Sequence, residues 1–397
     1  MALTLSTADA ALKELYLGKL RLQLNDDVSP TLTQLERTSE NVEGRRVVLS
    51  LHYGRNGSFG SAGEGDALPV AGNQSYLEER IGLRYHYGRI QFNGPVIRAM
   101  KSDKGSFVRA IESETKRLLV DAQQVMGRQV FNDANQTMAR CGTTAGATEI
   151  VLHTSTTATQ MRNFVVGQRI DVGTIAAPTA DLNGAVITAV NRTTKTITTA
   201  TAITTDASDY VWAHNGKDNE INGLQEIVDS TGSLFNVDPT TYDFWKSYED
   251  AVDGILTEND IMTALDNIII TSGQAVNLAV TSHGVIRAFH AQLQSQKRYV
   301  GESDTLKGGI KGLAVSSGSQ QVALMSDRFC PESTLFLLNT DNLKFYQSAD
   351  WEWMQEDGNV LSRVTGYDAY EATLFTYRNL MTDRRNTHGK LTGITEA

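Results

Sequence analysis

Apolar positions along this chain change period several times, and each change marks an element. Leu12, Tyr16 and Leu20 recur at helical spacing behind Ser6, with Asp9 three residues after it, which predicts a capped amphipathic helix over Ser6 to Leu24. A short second helix follows Pro30, carrying Leu32 and Leu35. Helices below about 12–15 residues are marginal in water, so this region must pack, either on its own chain or on a neighbour. Two β-like runs come next, Arg45 to Tyr53 and Arg80 to Phe92, with GRNGSFGSAGEGDALP and VAGNQSYLEE between them. They predict a long hairpin with a wide, glycine-rich tip. Its limbs mix Arg84, His86 and Arg89 with Tyr85, Tyr87 and Ile90, as suits a ribbon with little core of its own. At about 3.3 Å per residue, limbs of about 15 residues would reach roughly 50 Å. Such a ribbon is unstable alone and implies a surface to lie on.

From Asp103 to about Thr137 the period becomes helical, with Phe107, Ile111, Leu118, Ala122, Val125 and Met126 on one face. This predicts one long helix, in which Gly127 permits a bend or an earlier end. From Cys141 to His214 the composition shifts to Thr, Ala, Val and Ile. Short runs at TEIVLHT, VVGQRIDVGT, GAVITAVN, KTITTATAI and DYVWAH predict a small, self-contained all-β barrel or sandwich. Mixed α/β follows. Thr257 caps a helix with Asp260 three residues on, and Ile261, Met262, Leu265, Ile268 and Ile269 line its inner face. LAVTS is a buried strand, Val285 to Lys297 a helix, and KGGIKG (residues 307–312) a loop. Strands follow at QQVALMS, TLFLLN and WEWMQ, then a long β-like run from Asp368 to Asn379 and a basic tail, RRNTHGKLTGI.

A length of 397 residues exceeds the roughly 250–300 at which single cores stop growing, so two or three structural units are expected. A mean hydropathy of -0.28 and the lack of a long apolar run argue against a membrane protein, and the N-terminus lacks signal-peptide features. Cys141 and Cys330 stand far apart, which suggests neither a disulfide framework nor a thiolate site. The net charge of -10 opposes unaided nucleic-acid binding, since that draws on Lys and Arg against phosphate. Any contact with DNA is expected to be non-specific.

No candidate chemistry survives a test of context. The glycine-rich stretch contains no lysine and precedes no helix, unlike a phosphate-binding loop. Ser282 beside His283 lacks the Gly-x-Ser-x-Gly frame, and neighbours on a strand face opposite ways, so a helix cap is the better account. The histidines lack metal-ligand spacing. Glu112 with Glu114, and Glu249 with Asp250 and Asp253, read as solvated faces of helices. Trp351 and Trp353 alternate and share one strand face. No catalytic, cofactor or metal site is expected. An α/β enzyme using Ser282 and His283, and a carbohydrate-binding role for the Thr-rich unit, stand as the competing classes.

The order of parts, with several phrases, resembles the major capsid proteins of tailed bacteriophages, whose Hong Kong 97-type fold is shared with encapsulins. The phrases are GRNGSFG, ALPVAGNQSY, SFVRAIESETKRLL, EINGLQEIVD, LAVTSHGVIRAF and GYDAYEATLFTYRNLMTDRRNTHGKLTGI. The resemblance implies an α+β capsid fold. Its N-arm would be residues 1–44, its extended E-loop with connecting strands 45–98, and the P-domain spine helix 99–140. A small all-β insertion domain would span 141–215 and most of the A-domain 216–349, with return strands over 350–397. It implies inter-subunit contacts through Arg55, Phe59, Glu64, Leu68 and Tyr76 of the E-loop and through Lys307 and Lys311 of an A-domain loop. Phe107, Ile111, Leu118 and Val125 would mark the spine helix. The implied partners are further copies in hexamers and pentamers, a separate scaffolding protein, a portal protein, packaged DNA and a decoration protein in some shells. The implied location is the virion capsid, assembled in the host cytoplasm. Some relatives join an E-loop lysine to a neighbour's asparagine, but residues 47–100 hold no lysine here, so non-covalent overlap is expected. An encapsulin shell with enzyme cargo is the alternative within the fold.

Overall fold

A computed structural model describes residues 29–64, 67–94, 104–295, 303–305, 311–317, 320–355 and 360–396, with side chains placed for most of these. The helix expected over Ser6 to Leu24 lies outside them. The described chain begins at a short helix, Pro30–Gln34, with proline in its first turn, where a missing N–H costs nothing. Buried Asp327 fastens this start to the body: its Oδ2 accepts from Ser29 Oγ at 2.5 Å and Thr31 Oγ1 at 2.7 Å.

Two sheets form the body. In the seven-stranded sheet the order is Tyr248–Gly254, Gly389–Ile394, Leu335–Leu338, Leu278–Thr281, Gln320–Ser326, Lys311–Ser317 and Ser303–Thr305. Both faces are covered, and strand alternation divides the residues between them. Val280, Phe336 and Leu338 join the main core, while Ala279, Leu335 and Leu337 face the helices Glu258–Ser272 and His283–Ser295. Thr257 caps the first of those helices in a reciprocal box with Asp260, and Gly273 ends it at φ 71°.

The residues expected to form a basic tail are instead interior. Gly389–Ile394 lies between two strands of this sheet, pairing with Tyr248–Gly254 on one side and Leu335–Leu338 on the other. Arg385, fully buried, donates to the carbonyls of Ile227, Gly232 and Glu226 at 2.9, 2.6 and 3.0 Å. A guanidinium with five fixed donors can satisfy several carbonyls at and beyond the end of the short helix Leu224–Ile227 together, which is why a basic residue survives burial here. Glu249, Asp250 and Asp253 also differ from expectation, lying on the strand Tyr248–Gly254 rather than on a helix. Likewise Lys311 opens a strand instead of ending a loop.

The second sheet is built on Ala369–Thr382, which pairs with Leu343–Trp353 and with Arg84–Asn93. Here the predicted hairpin is corrected. Its first limb is Arg46–Gly54, but its second is Ser75–Gly82, in register from Arg46↔Gly82 to Gly54↔Ser75. Arg84–Asn93 leaves the ribbon and joins the body sheet, so the paired limbs are about 9 residues long and reach roughly 30 Å. Leu83 marks the division and is buried at the root with Val47, Ile81 and Met381.

The long helix, Lys104–Gln129, packs on Arg84–Asn93 and ends before the expected Thr137. Gly88 permits the approach, for a Cβ there would stand 3.1 Å from Leu118 Cδ1. Its buried stripe runs through Leu119, Gln123, Met126 and Val130, so Val125, expected on the inner face, is 42% exposed. Polar contacts end the helix: Arg128 Nη2 and Asn132 Nδ2 both donate to buried Glu220, the second at 2.8 Å.

Between Ala139 and Ala213 the small β unit forms its own six-stranded sheet, in which Val211 pairs with Ala139 so that the two ends meet. Its core of Ile150, Phe164, Ile170, Val172, Ile187, Ile197 and others is a cluster separate from the rest.

Candidate functional site

The ribbon is the part of the described chain with least support from its own residues. Alternation puts Val47 and Ile81 inward at its root, but outward from there the apolar groups lose cover. Leu51 and Leu77 pair half-buried, Tyr76 is 66% exposed, and beyond the last pair Phe59, Leu68 and Val70 are 100%, 84% and 87% exposed. Arg55 and Glu64 are exposed as well. Local polar contacts help to order the tip, with Asn56 Nδ2 donating to Gly72 O at 2.7 Å and Asn56 Oδ1 accepting from Ser58 N at 2.9 Å. Three large apolar side chains in one segment, all facing water, form a patch of the kind that marks interaction surfaces.

Near the outer end of its limbs the ribbon also meets the body, through aromatic groups. Tyr53 stacks on Phe244 with ring centroids 5.6 Å apart and meets Tyr242 edge-on at 5.3 Å. Beside this contact lies an open groove of about 580 Å³, lined by Leu49, Leu51, Tyr53, Phe244, Asp383 and Arg384 among others. On the neighbouring inward face Glu79, in register with Leu49, is completely buried, and neither carboxylate oxygen has a hydrogen-bond partner. Burial, with the nearby Asp383 charge, pushes its carboxyl up to about 9. Asp383 itself is raised by burial and leaves Oδ1 unpartnered.

The sequence reading did not single out Glu79, Asp383, Tyr53 or Phe244. One signal for Glu79 was present: it stands between Leu77 and Ile81 on the apolar side of the strand alternation. Of the residues marked on the long helix, Leu118 is half-buried against Gly88, and the side chains of Phe107 and Ile111 lie outside the described part. Lys307 also lies outside it, as does the side chain of Lys311.

Ser282 is not paired with His283. Its hydroxyl donates to Glu396 Oε1 and accepts from Val285 N at 3.3 Å, capping the helix that follows, while His283 is exposed. Trp351 and Trp353 are both buried in the main core, and the Arg378 guanidinium stands 5.1 Å from the Trp351 ring. Burial, then the Arg37 charge, lowers Arg378 to about 9. Among the described residues no helix is long and apolar enough to cross a membrane, and no group of three or more His, Cys, Asp or Glu could hold a metal ion.

No family model matches this sequence, and no curated protein matches it. Solved structures do. The capsid of cyanophage A-1(L) aligns over 93% of both chains with a TM-score of 0.50 at 13% identity. The capsid of the myovirus XM1 aligns over 93% of this chain and 94% of that one, with a TM-score of 0.44 and 7% identity. An encapsulin complex from Synechococcus elongatus aligns over 93% of this chain and 89% of that one, at 0.47 and 11%. The chain has the phage capsid fold, shown by the first of these, which covers 93% of both chains.

Proposed function

We propose that this chain is the major capsid protein of a tailed double-stranded DNA bacteriophage, assembling into the hexamers and pentamers of an icosahedral shell that encloses the genome. One observation carries the reading beyond the fold: the projecting ribbon ends in Phe59, Leu68 and Val70, fully or nearly fully exposed in a single copy. Burying such groups against neighbouring copies is favourable by about 25 cal/mol per Å2, and in a closed ring every copy both gives and receives the contact. The ribbon is then the E-loop, Lys104–Gln129 the P-domain spine, the seven-stranded sheet the core of the A-domain, and the small β unit an insertion domain. Arg55, Phe59, Glu64, Leu68 and Tyr76 make the inter-subunit contacts, joined by Lys307 and Lys311 around the capsomer axis.

The role so assigned is structural. Without a lysine between residues 47 and 100, shell cohesion rests on non-covalent overlap. Scaffolding, portal and, in some shells, decoration proteins are the partners this role calls for, and DNA is held without sequence readout, in keeping with a net charge of -10. Deleting Gly57 to Gly65 tests the reading. The variant is expected to keep the wild-type circular dichroism and melting temperature while forming no closed particles; wild-type particle yield would overturn the assignment of the tip.

A further inference from the structure

The seam between ribbon and body contains a group that neither the fold nor the shell role requires. Glu79 is 0% exposed on the inward face of Ser75–Gly82, among Leu49, Ile81 and Met381, and both its oxygens lack partners. Among the described residues no cation acts on Glu79 itself, although Arg384 and Lys344 act on its neighbour Asp383. From the C-terminal loop comes Asp383, itself an acid with an unpartnered oxygen, and Arg384, whose side chain is exposed. Leu343–Trp353 offers Tyr346, which feels the charges of Glu79, Asp383 and Glu40, and Lys344, which is already paired with Glu36 at 2.8 Å. A carboxylate without cation or donor is too costly to bury, so the docked ribbon holds Glu79 as the neutral acid.

We propose that docking of the ribbon root on the body is coupled to the proton on Glu79, so that the seam is a latch closed by acid and loosened as the carboxyl ionises. Opening must break the apolar cluster of Val47, Ile81, Leu83 and Met381, the bonds from Arg80 N to Phe235 O at 3.3 Å and from Asn379 Nδ2 to Gly82 O at 2.8 Å, and the stacking of Tyr53 on Phe244, so an ionised Glu79 weakens this seam rather than holding it alone. The sign follows from linkage. Lifted into water, Glu79 ionises near its ordinary 4.5, whereas docked it holds its proton up to about 9. Docking is unpenalised below the first value, weakens by up to about tenfold per pH unit between them, and changes no further above the second. A ribbon freed at its root could pivot as a unit toward neighbouring copies at different spacings.

Hydrogen exchange of the full-length protein, corrected for intrinsic base catalysis, tests this on residues 46–54 and 75–82. Protection in the wild type is expected to fall by up to about 100-fold between pH 6 and pH 8. Glu79→Gln should remove that dependence. Asp383→Asn should move it to lower pH, since the Asp383 charge helps to raise Glu79. This second variant serves if the first does not fold. A flat wild-type profile, a slope retained in Glu79→Gln, or a midpoint unmoved in Asp383→Asn would each overturn the proposal. None of these outcomes depends on whether the chain forms shells.

Discussion

Glu220, 4% exposed, holds the end of the long helix by accepting from Arg128 and Asn132, and its backbone carbonyl accepts from Gln136 Nε2 at 3.0 Å. Removing one partner of a buried ion pair leaves the other charge uncompensated, which costs about 3–5 kcal/mol. Glu220→Leu is therefore expected to lower the unfolding free energy by that amount, measured by urea titration, and a loss under about 1 kcal/mol would contradict the role. His388 makes the second residue-scale case. Fully buried, it accepts from Asn339 N at Nδ1 (3.2 Å), which leaves Nε2 to donate to Thr382 Oγ1 at 2.8 Å. Burial lowers its pKa from 6.5 to about 3, so the unfolded chain takes up a proton first as pH falls. Its contribution is complete above 6.5 and is lost progressively down to about 3. Wild type should lose about 2 kcal/mol more than His388→Gln between pH 7 and pH 5, and equal losses would count against it. Glu79 works in the opposite sense, gaining as pH falls. Glu79 carried a signal in the strand alternation, whereas neither Glu220 nor His388 was legible as buried, because their burial depends on which distant segments meet. The Thr257 and Asp260 cap was legible because it closes within one turn.

At the scale of elements, period and turn chemistry gave the long helix, the small β unit and most strands of the seven-stranded sheet. What they could not give was pairing. The run read over Arg80 to Phe92 joined the end of Ser75–Gly82 to most of Arg84–Asn93, yet the first strand pairs within the ribbon and the second with Ala369–Thr382, nearly 280 residues later. The same limit turned Gly389–Ile394 into an expected tail. The small β unit escaped this problem because its pairings are local and its core is its own. Since Ala139 and Val211 are paired neighbours, the unit begins and ends at one point. A fragment covering residues 138–214 is accordingly expected to fold alone, with a cooperative thermal transition and β-type circular dichroism. A non-cooperative melt of the fragment would show that its core needs the body.

For the whole molecule, the chain has the phage capsid fold, aligning with a solved phage capsid over 93% of its length. The ribbon tip, with Phe59, Leu68 and Val70, remains apolar and uncovered in a single copy, as the proposed association requires. The tip was readable as a projecting, pliable segment from its glycines and the absence of a following helix; its place at the end of two short limbs was not. Many modest contacts repeated around closed rings sum to a stable shell while each stays weak enough to be corrected. Electron microscopy of the purified chain, alone and co-expressed with proteins from neighbouring genes, tests this most directly. Closed icosahedral particles built of six-fold and five-fold capsomers are the expected result, and a uniform 43.4 kDa monomer under every such condition would contradict the account.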